Sequence, residues 1–223
     1  ALPFSHSGEK MKIMHITSGE YSADALRERL PDAEILPFNE AMCEGDAALP
    51  VFGEEFCRLR AKAYGVRYDE YLQKSPVAGL KKSGGYGCLE LYFDHDMFCA
   101  VNAVTLLAYL EQSGFGGKIL FHLIAQDGRA DVLESAPIRA EGYLAHYRAL
   151  LLDRRAVRTG FDIFDRVLPL YLEYKKKDNE IVRYAREHRS EEKETLIKKM
   201  LAAFRDYGLS DLAAERFIGQ TEI

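Results

Sequence analysis

Residues 12–17 (KIMHIT) crowd β-prone, mostly apolar side chains together before Ser18-Gly19-Glu20 interrupts them, and from 21 to 30 the apolar positions recur at helical spacing. The pattern predicts a strand, a tight turn and a helix. Pro31-Asp32 stops that helix, 34–38 predicts a second short strand, and 39–46 is a polar loop. Helical spacing returns over 54–64 and 68–74, 83–87 is a glycine-rich loop, and 88–93 predicts a third strand. A strongly apolar helix over 97–112 ends at Ser113-Gly114, and 118–124 predicts a fourth strand.

Alternating strands and helices point to a Rossmann-like α/β fold: an open, mostly parallel sheet of about four strands with helices on both faces. Past Gln126 no strand is predicted, and 143–157, 161–177, 179–188, 191–207 and 210–218 all read as helices. The expected organisation is an extension or disordered stretch at 1–10, the α/β domain at 11–130 and an all-helical C-terminal domain at 131–223.

Composition narrows the partners. The 30 Lys and Arg against 35 Asp and Glu leave a net charge of −5, so no chain-wide basic field exists to attract a phosphate backbone, and nucleic acid is not an expected partner. No apolar stretch has the length of a membrane helix and no signal-peptide pattern is read, so neither membrane insertion nor export is expected. Cys43, Cys57, Cys88 and Cys99 show neither a C-x-x-C pair nor disulfide-dense spacing, the usage of free thiols in a reducing, cytoplasmic setting. The expected partners are a small-molecule ligand and, through the helical part, a second copy of the chain.

In an open parallel sheet all strand C-termini reach one rim, where helix N-termini offer unpaired N–H groups. Three polar loops should meet there: Thr17, Ser18, Gly19 and Glu20 after the first strand, Asn39, Glu40 and Glu44 after the second, and Asp94, His95 and Asp96 after the third. A D-x-D pair can hold a hard cation, Mg or Mn, with a further oxygen from Glu20 or Glu40. The same residues also read as a helix cap, with Asp96 at the N-cap, Asp94 paired locally and His95 exposed.

His95 has the titration range of a general acid or base. His15 and His122 fall inside strands, where a packed histidine is the commoner outcome, although His15 is also a candidate ligand contact. Ser18-Gly19-Glu20 could seat an anion on backbone N–H groups, yet it has neither dinucleotide nor P-loop spacing, and Glu20 would repel phosphate. The alternative is a turn at Gly19 with Ser18 as cap. Arg58 and Arg60 could offer a fork to an anion or be solvated, and Cys99, in a first helical turn, is either a favoured thiolate or a packed thiol.

The stretch from Phe93 to Asn102, FDHDMFCAVN, resembles the motif F-E/D-H/D-D-L/M-F-C/D-x-L/V-N of the bacterial proteins grouped as domain of unknown function family 1835. His15 to Glu20 is similar to that family's H-I-x-x-G-D/E opening, Asn39 to Gly45 to its x-E-x-L-x-E-G loop, Arg60-Ala61 to its R-A pair, and Gly208 to Asp211 to its G-L/F-x-D segment. Asp46 stands where the pattern has proline, and Glu20 where aspartate is commoner. The resemblance marks residues, Asn102 among them, and implies no reaction.

The expectation drawn from all this is a metal-dependent enzyme on a phosphorylated or nucleotide-like small molecule. Asp94, Asp96 and Glu20 or Glu40 would hold the ion, His95 would act as acid or base and Arg60 would meet the anion. The alternatives are a non-catalytic ligand- or protein-binding module and, more remotely, a helix-turn-helix regulator built on 191–218 with Arg216 as its base.

Overall fold

The computed structural model describes residues 11–221; the expectation for 1–10 lies outside the described residues. The chain runs β1 (Ile13–Thr17), α1 (Glu20–Arg29), β2 (Glu34–Pro37), α2 (Glu54–Tyr64), α3 (Tyr68–Lys74), α4 (Val77–Leu80), β3 (Cys88–Phe93), α5 (Met97–Gln112), β4 (Lys118–Ile124) and β5 (Val132–Ile138). It ends with α6 (Tyr143–Tyr147), continued by a wider turn at Arg148–Leu152, then α7 (Asp162–Tyr174), α8 (Glu180–Glu187), α9 (Lys193–Ala203) and α10 (Asp211–Gly219). The sheet order is β2-β1-β3-β4-β5. The first four strands are parallel, and β5 pairs antiparallel with β4.

Side chains alternate across the sheet. One face, with Met14, Ile16, Leu89, Leu91, Phe93 and Phe121, joins the main core, and α5 lies on it. That helix is apolar nearly all round and buried along most of its length, the pattern of a helix packed on several sides. On the opposite face Leu26 of α1 packs with Ile35, Tyr92, Ile124 and Ala130.

The fifth strand is the main addition to the expected fold. Val132–Ile138 (VLESAPI) carries Glu134, Ser135 and Pro137 and lacks an alternating apolar pattern because it is an edge strand, largely exposed, where proline costs no ladder bond that a neighbour needs. The sheet therefore continues past residue 130. Two expected helices are also shorter. The one predicted over 191–207 ends at Ala203, followed by a tight turn at Arg205–Tyr207 that closes with Gly208 at φ 68°, and the one over 143–157 ends in the turn at Arg148–Leu152.

The C-terminal helices share the main core with the sheet. Phe121 of β4 packs edge-on against Phe161 and Phe164, both at 5.2 Å between ring centroids, and Tyr147 donates from its hydroxyl to the Ala48 carbonyl at 2.9 Å. Glu111 near the end of α5 accepts from the backbone N–H of Gly142 (2.9 Å) and Leu144 (2.6 Å), which satisfies the start of α6. Among the described residues no helix is long and apolar enough to cross a membrane.

Because Phe121 bridges the sheet and α7, Phe121→Ala is expected to cost about 3–5 kcal/mol, measured by chemical denaturation. Far-ultraviolet circular dichroism and tyrosine fluorescence should report one shared transition in the parent chain. Two separated transitions would show the C-terminal helices to be an independent unit.

Candidate functional site

The strand order makes β1 and β3 neighbours whose chains leave in opposite directions, the arrangement that opens a crevice at the C-terminal rim of an α/β sheet. The first two loops are tied to the sheet by backbone bonds, Ser18 N–H to Tyr92 O at 2.9 Å and Phe38 N–H to Thr17 O at 2.8 Å. Thr17 Oγ1 donates to the Gly19 carbonyl at 3.0 Å, and α1 begins with no side-chain cap. Glu20 in its first turn accepts from Arg27 Nη1 (2.7 Å) and Asn39 Nδ2 (3.2 Å); the Arg27 bond above all, then Asn39, holds its carboxyl below the usual range.

The second loop is fastened from beneath. Glu40 and Arg60 form an ion pair, Nε to Oε2 at 3.0 Å, with both side chains 0% exposed. Tyr64 (3.2 Å) and Tyr71 also donate to the Glu40 carboxylate. Arg60 uses its other nitrogens on the carbonyls of Ala41 (2.8 Å) and Glu44. Asn102 of α5 donates to the Glu40 carbonyl at 2.6 Å and accepts from Met42 N–H at 2.9 Å. Glu44 turns the other way and accepts from Tyr174 of α7 and from Arg216 of α10 at 2.5 Å.

These contacts revise several expectations. Arg60 is not free to meet an anion, because its donors are taken up inside the protein, and Glu40 and Asn102 are clamps on the loop instead of ligand groups at the crevice. Glu44 ties the rim to the C-terminal helices. Arg216, the base of the supposed regulator, is bonded to Glu44 and Tyr174. Tyr64 and Tyr71 went unnoticed in the sequence, although the i, i+4 spacing of Arg60 and Tyr64 on α2 places them on one helical face.

The third loop reads mainly as a cap. Asp96 Oδ1 accepts from Cys99 N–H at 2.7 Å at the start of α5, and Asp94 Oδ1 accepts from Asp96 N–H at 2.8 Å. Burial first, and the charge of Asp94 second, push the Asp96 carboxyl well above its usual range. Burial also pushes the Cys99 thiol well up, so it is no reactive thiolate. Gly208 packs directly on this carboxyl, and a Cβ there would overlap both Asp96 oxygens. His95 is half-buried and makes no side-chain hydrogen bond among the described residues.

The expected union of Asp94 and Asp96 with Glu20 or Glu40 does not form. Among the described residues the one group with donor atoms all within 4.8 Å of one another is Asp94, Asp96 and Cys99. Its donors do not suit Mg or Mn: one oxygen of each carboxylate is spent on a backbone N–H, and the third member is a soft, protonated thiol where a hard cation needs oxygen. His15 is also displaced from the rim. It lies on the face of the sheet, where burial is the largest cause lowering its pKa.

Two openings result. The larger, about 1070 Å³, lies beyond β1 and β2 and is lined by Ser18, Glu20, Asn39, Tyr64 and Phe98. The smaller, about 250 Å³, is lined by Asp94, Asp96, Gln126, Arg205 and Gly208. No family model, curated protein or solved structure matches this chain.

The Asp96 carboxyl makes stability depend on pH. A carboxyl whose folded pKa is raised contributes fully below the unfolded value of about 3.9 and loses that contribution as pH rises through the folded value. Asp96→Asn keeps an acceptor for Cys99 N–H and removes the buried charge. Its thermal midpoint is expected to exceed that of the parent near neutral pH and to converge with it at about pH 4; an equal offset at both pH values would contradict the raised carboxyl.

Proposed function

We propose that this protein binds a small, nucleoside-like molecule in the larger rim opening, with hydroxyl or amine donors on Glu20 and Asn39 and a planar, apolar part against Tyr64 and Phe98. The observation that carries the reading is the side-by-side placement of the Glu20 carboxylate and the Asn39 amide next to an exposed tyrosine ring in one opening of ligand size. A carboxylate can accept two donors from a diol. It also repels phosphate at the start of α1, so an uncharged ligand fits better than a phosphorylated one.

This reading is closer to a binding module than to a metal-dependent enzyme. A catalytic reading draws support from Asp96, since a buried carboxyl whose pKa is raised by burial and by the neighbouring Asp94 charge, beside an opening, can deliver a proton. The helix-turn-helix reading loses support from the internal bonds of Arg216. We also infer membership of domain of unknown function family 1835 and a bacterial cytosolic setting. The contacts of Glu40 with Arg60 and Asn102, and of Asp96 with Gly208, all in segments that carry the resemblance, support the first, and the four buried free thiols support the second.

Thermal-shift measurements with nucleosides, sugars and nucleotides test this. Nucleosides are expected to raise the midpoint, with the shift lost in Glu20→Gln and Asn39→Ala, two exposed positions whose substitution leaves the fold intact. A larger shift with nucleotides, or shifts that survive both substitutions, would overturn the assignment. Turnover of a bound compound that disappears in Asp96→Asn would establish the catalytic reading.

A further inference from the structure

Another cluster of chemically active side chains lies on the face of the sheet and lines neither rim opening. His15 of β1, Glu90 and Tyr92 of β3, His122 of β4 and Ser135 of β5 share the face opposite the core residues Met14, Leu89, Leu91 and Phe121. His122 Nδ1 stands 2.7 Å from Ser135 Oγ, and its Nε2 stands 3.4 Å from Glu90 Oε2. The Tyr92 hydroxyl donates to the same Glu90 oxygen at 2.7 Å and, its hydrogen so committed, accepts from His15 Nδ1–H at 3.1 Å. The Tyr92 ring stacks on His122 at 4.5 Å between centroids.

These partners fix which nitrogen of His122 carries the hydrogen. A carboxylate only accepts, so Nε2 presents its N–H to Glu90, while Nδ1 keeps its lone pair and accepts from the Ser135 hydroxyl. Nε2 is buried and has no closer partner. The 3.4 Å contact is long for a hydrogen bond, as catalytic contacts often are before a substrate binds. A serine bonded to an imidazole that a carboxylate orients is the arrangement of an activated nucleophile. The two ring nitrogens are exchanged relative to the serine-protease triad, but such a triad is recognised by geometry and roles.

Ser135 is exposed on the edge strand and His122 is 8% exposed, so the serine is reachable while its base is sheltered. Leu120 pairs with Pro137, which has no N–H to give. That pair and, two residues back, His122–Ser135 are therefore of the non-hydrogen-bonded kind, in which facing side chains stand closest. The backbone N–H of Ser135 then points out of the sheet edge, where a main-chain donor can steady an oxyanion. Val132 and Leu133, 46% and 64% exposed, add apolar surface on the same strand.

We propose that Ser135, His122 and Glu90 form an acyl-transfer site for small esters of apolar acids. Ser135 Oγ bonds to the acyl carbon while its proton passes to His122 Nδ1. The bond from that carbon to the alcohol oxygen breaks, and the alcohol leaves with the proton. Water then adds to the acyl carbon with its proton passing to Nδ1, and the proton returns to Ser135 Oγ as the acid departs. Glu90 holds the ring in the accepting tautomer and stabilises its charged form, and Tyr92 holds Glu90.

The test uses the full chain with a serine-directed fluorophosphonate and with p-nitrophenyl butyrate. Ser135 Oγ displaces fluoride from the first, and peptide mapping by mass spectrometry is expected to find the label on Ser135. Nitrophenolate release from the second is expected in the parent and lost in Ser135→Ala, at an exposed position that does not endanger folding. His122→Gln is expected to slow labelling about 100-fold or more, and Glu90→Gln to slow it less, with circular dichroism checking each fold. The double variant is expected to be no slower than His122→Gln alone, because groups that act as a unit are not additive. A Ser135 that stays unlabelled, labelling unchanged in both single variants, or ester cleavage that survives Ser135→Ala would overturn the proposal.

Discussion

A guanidinium and a carboxylate closed off from water hold the rim of this protein in place. The Arg60–Glu40 pair sits beneath a loop that has no regular secondary structure, so its backbone groups need partners from elsewhere. Arg60 answers the carbonyls of Ala41 and Glu44, Tyr64 answers the Ala41 N–H, and Asn102 takes both Met42 N–H and Glu40 C=O. Removing one partner of such a pair leaves an uncompensated buried charge, a loss of about 3–5 kcal/mol. What the pair secures is a particular loop shape, and the floor of the larger rim opening is built on that shape.

The second organising element is α5. It covers one face of the sheet, supplies Asn102 to the loop, and starts with the Asp96 cap on which Gly208 rests. Through Glu111 it also satisfies the beginning of α6. The C-terminal helices are therefore attached to the sheet at several independent places, including the Phe121, Phe161 and Phe164 cluster and the contacts of Glu44 with Tyr174 and Arg216.

The residues that carry the resemblance to family 1835 fall largely into these contacts. Asp96 caps, Asn102 and Arg60 clamp, and Gly208 makes room, all of them roles in holding loops at fixed distances. Glu20 and Asn39 alone among the marked side chains pair with each other at the edge of the larger opening. A motif rich in carboxylates can thus reflect the cost of leaving helix starts and irregular loops unsatisfied as readily as it reflects chemistry.

Local information in the chain settled the parallel strands, the helices between them and the rim as the place where polar loops gather, because periodicity acts over a few neighbouring residues; it offered the cap at Asp96 beside a metal or catalytic role and left the choice to the structure. It did not reach β5, whose exposed edge position requires no apolar pattern. Nor could it show that Glu40 would turn inward to Arg60 while Glu20 turned to Arg27 and Asn39, so that no acidic group spans the three loops. The cluster of His15, Glu90, Tyr92 and His122 was equally hidden. Those residues lie on three strands distant in sequence, and only the register of β1 against β3 and of β3 against β4 brings them onto one face within hydrogen-bonding range.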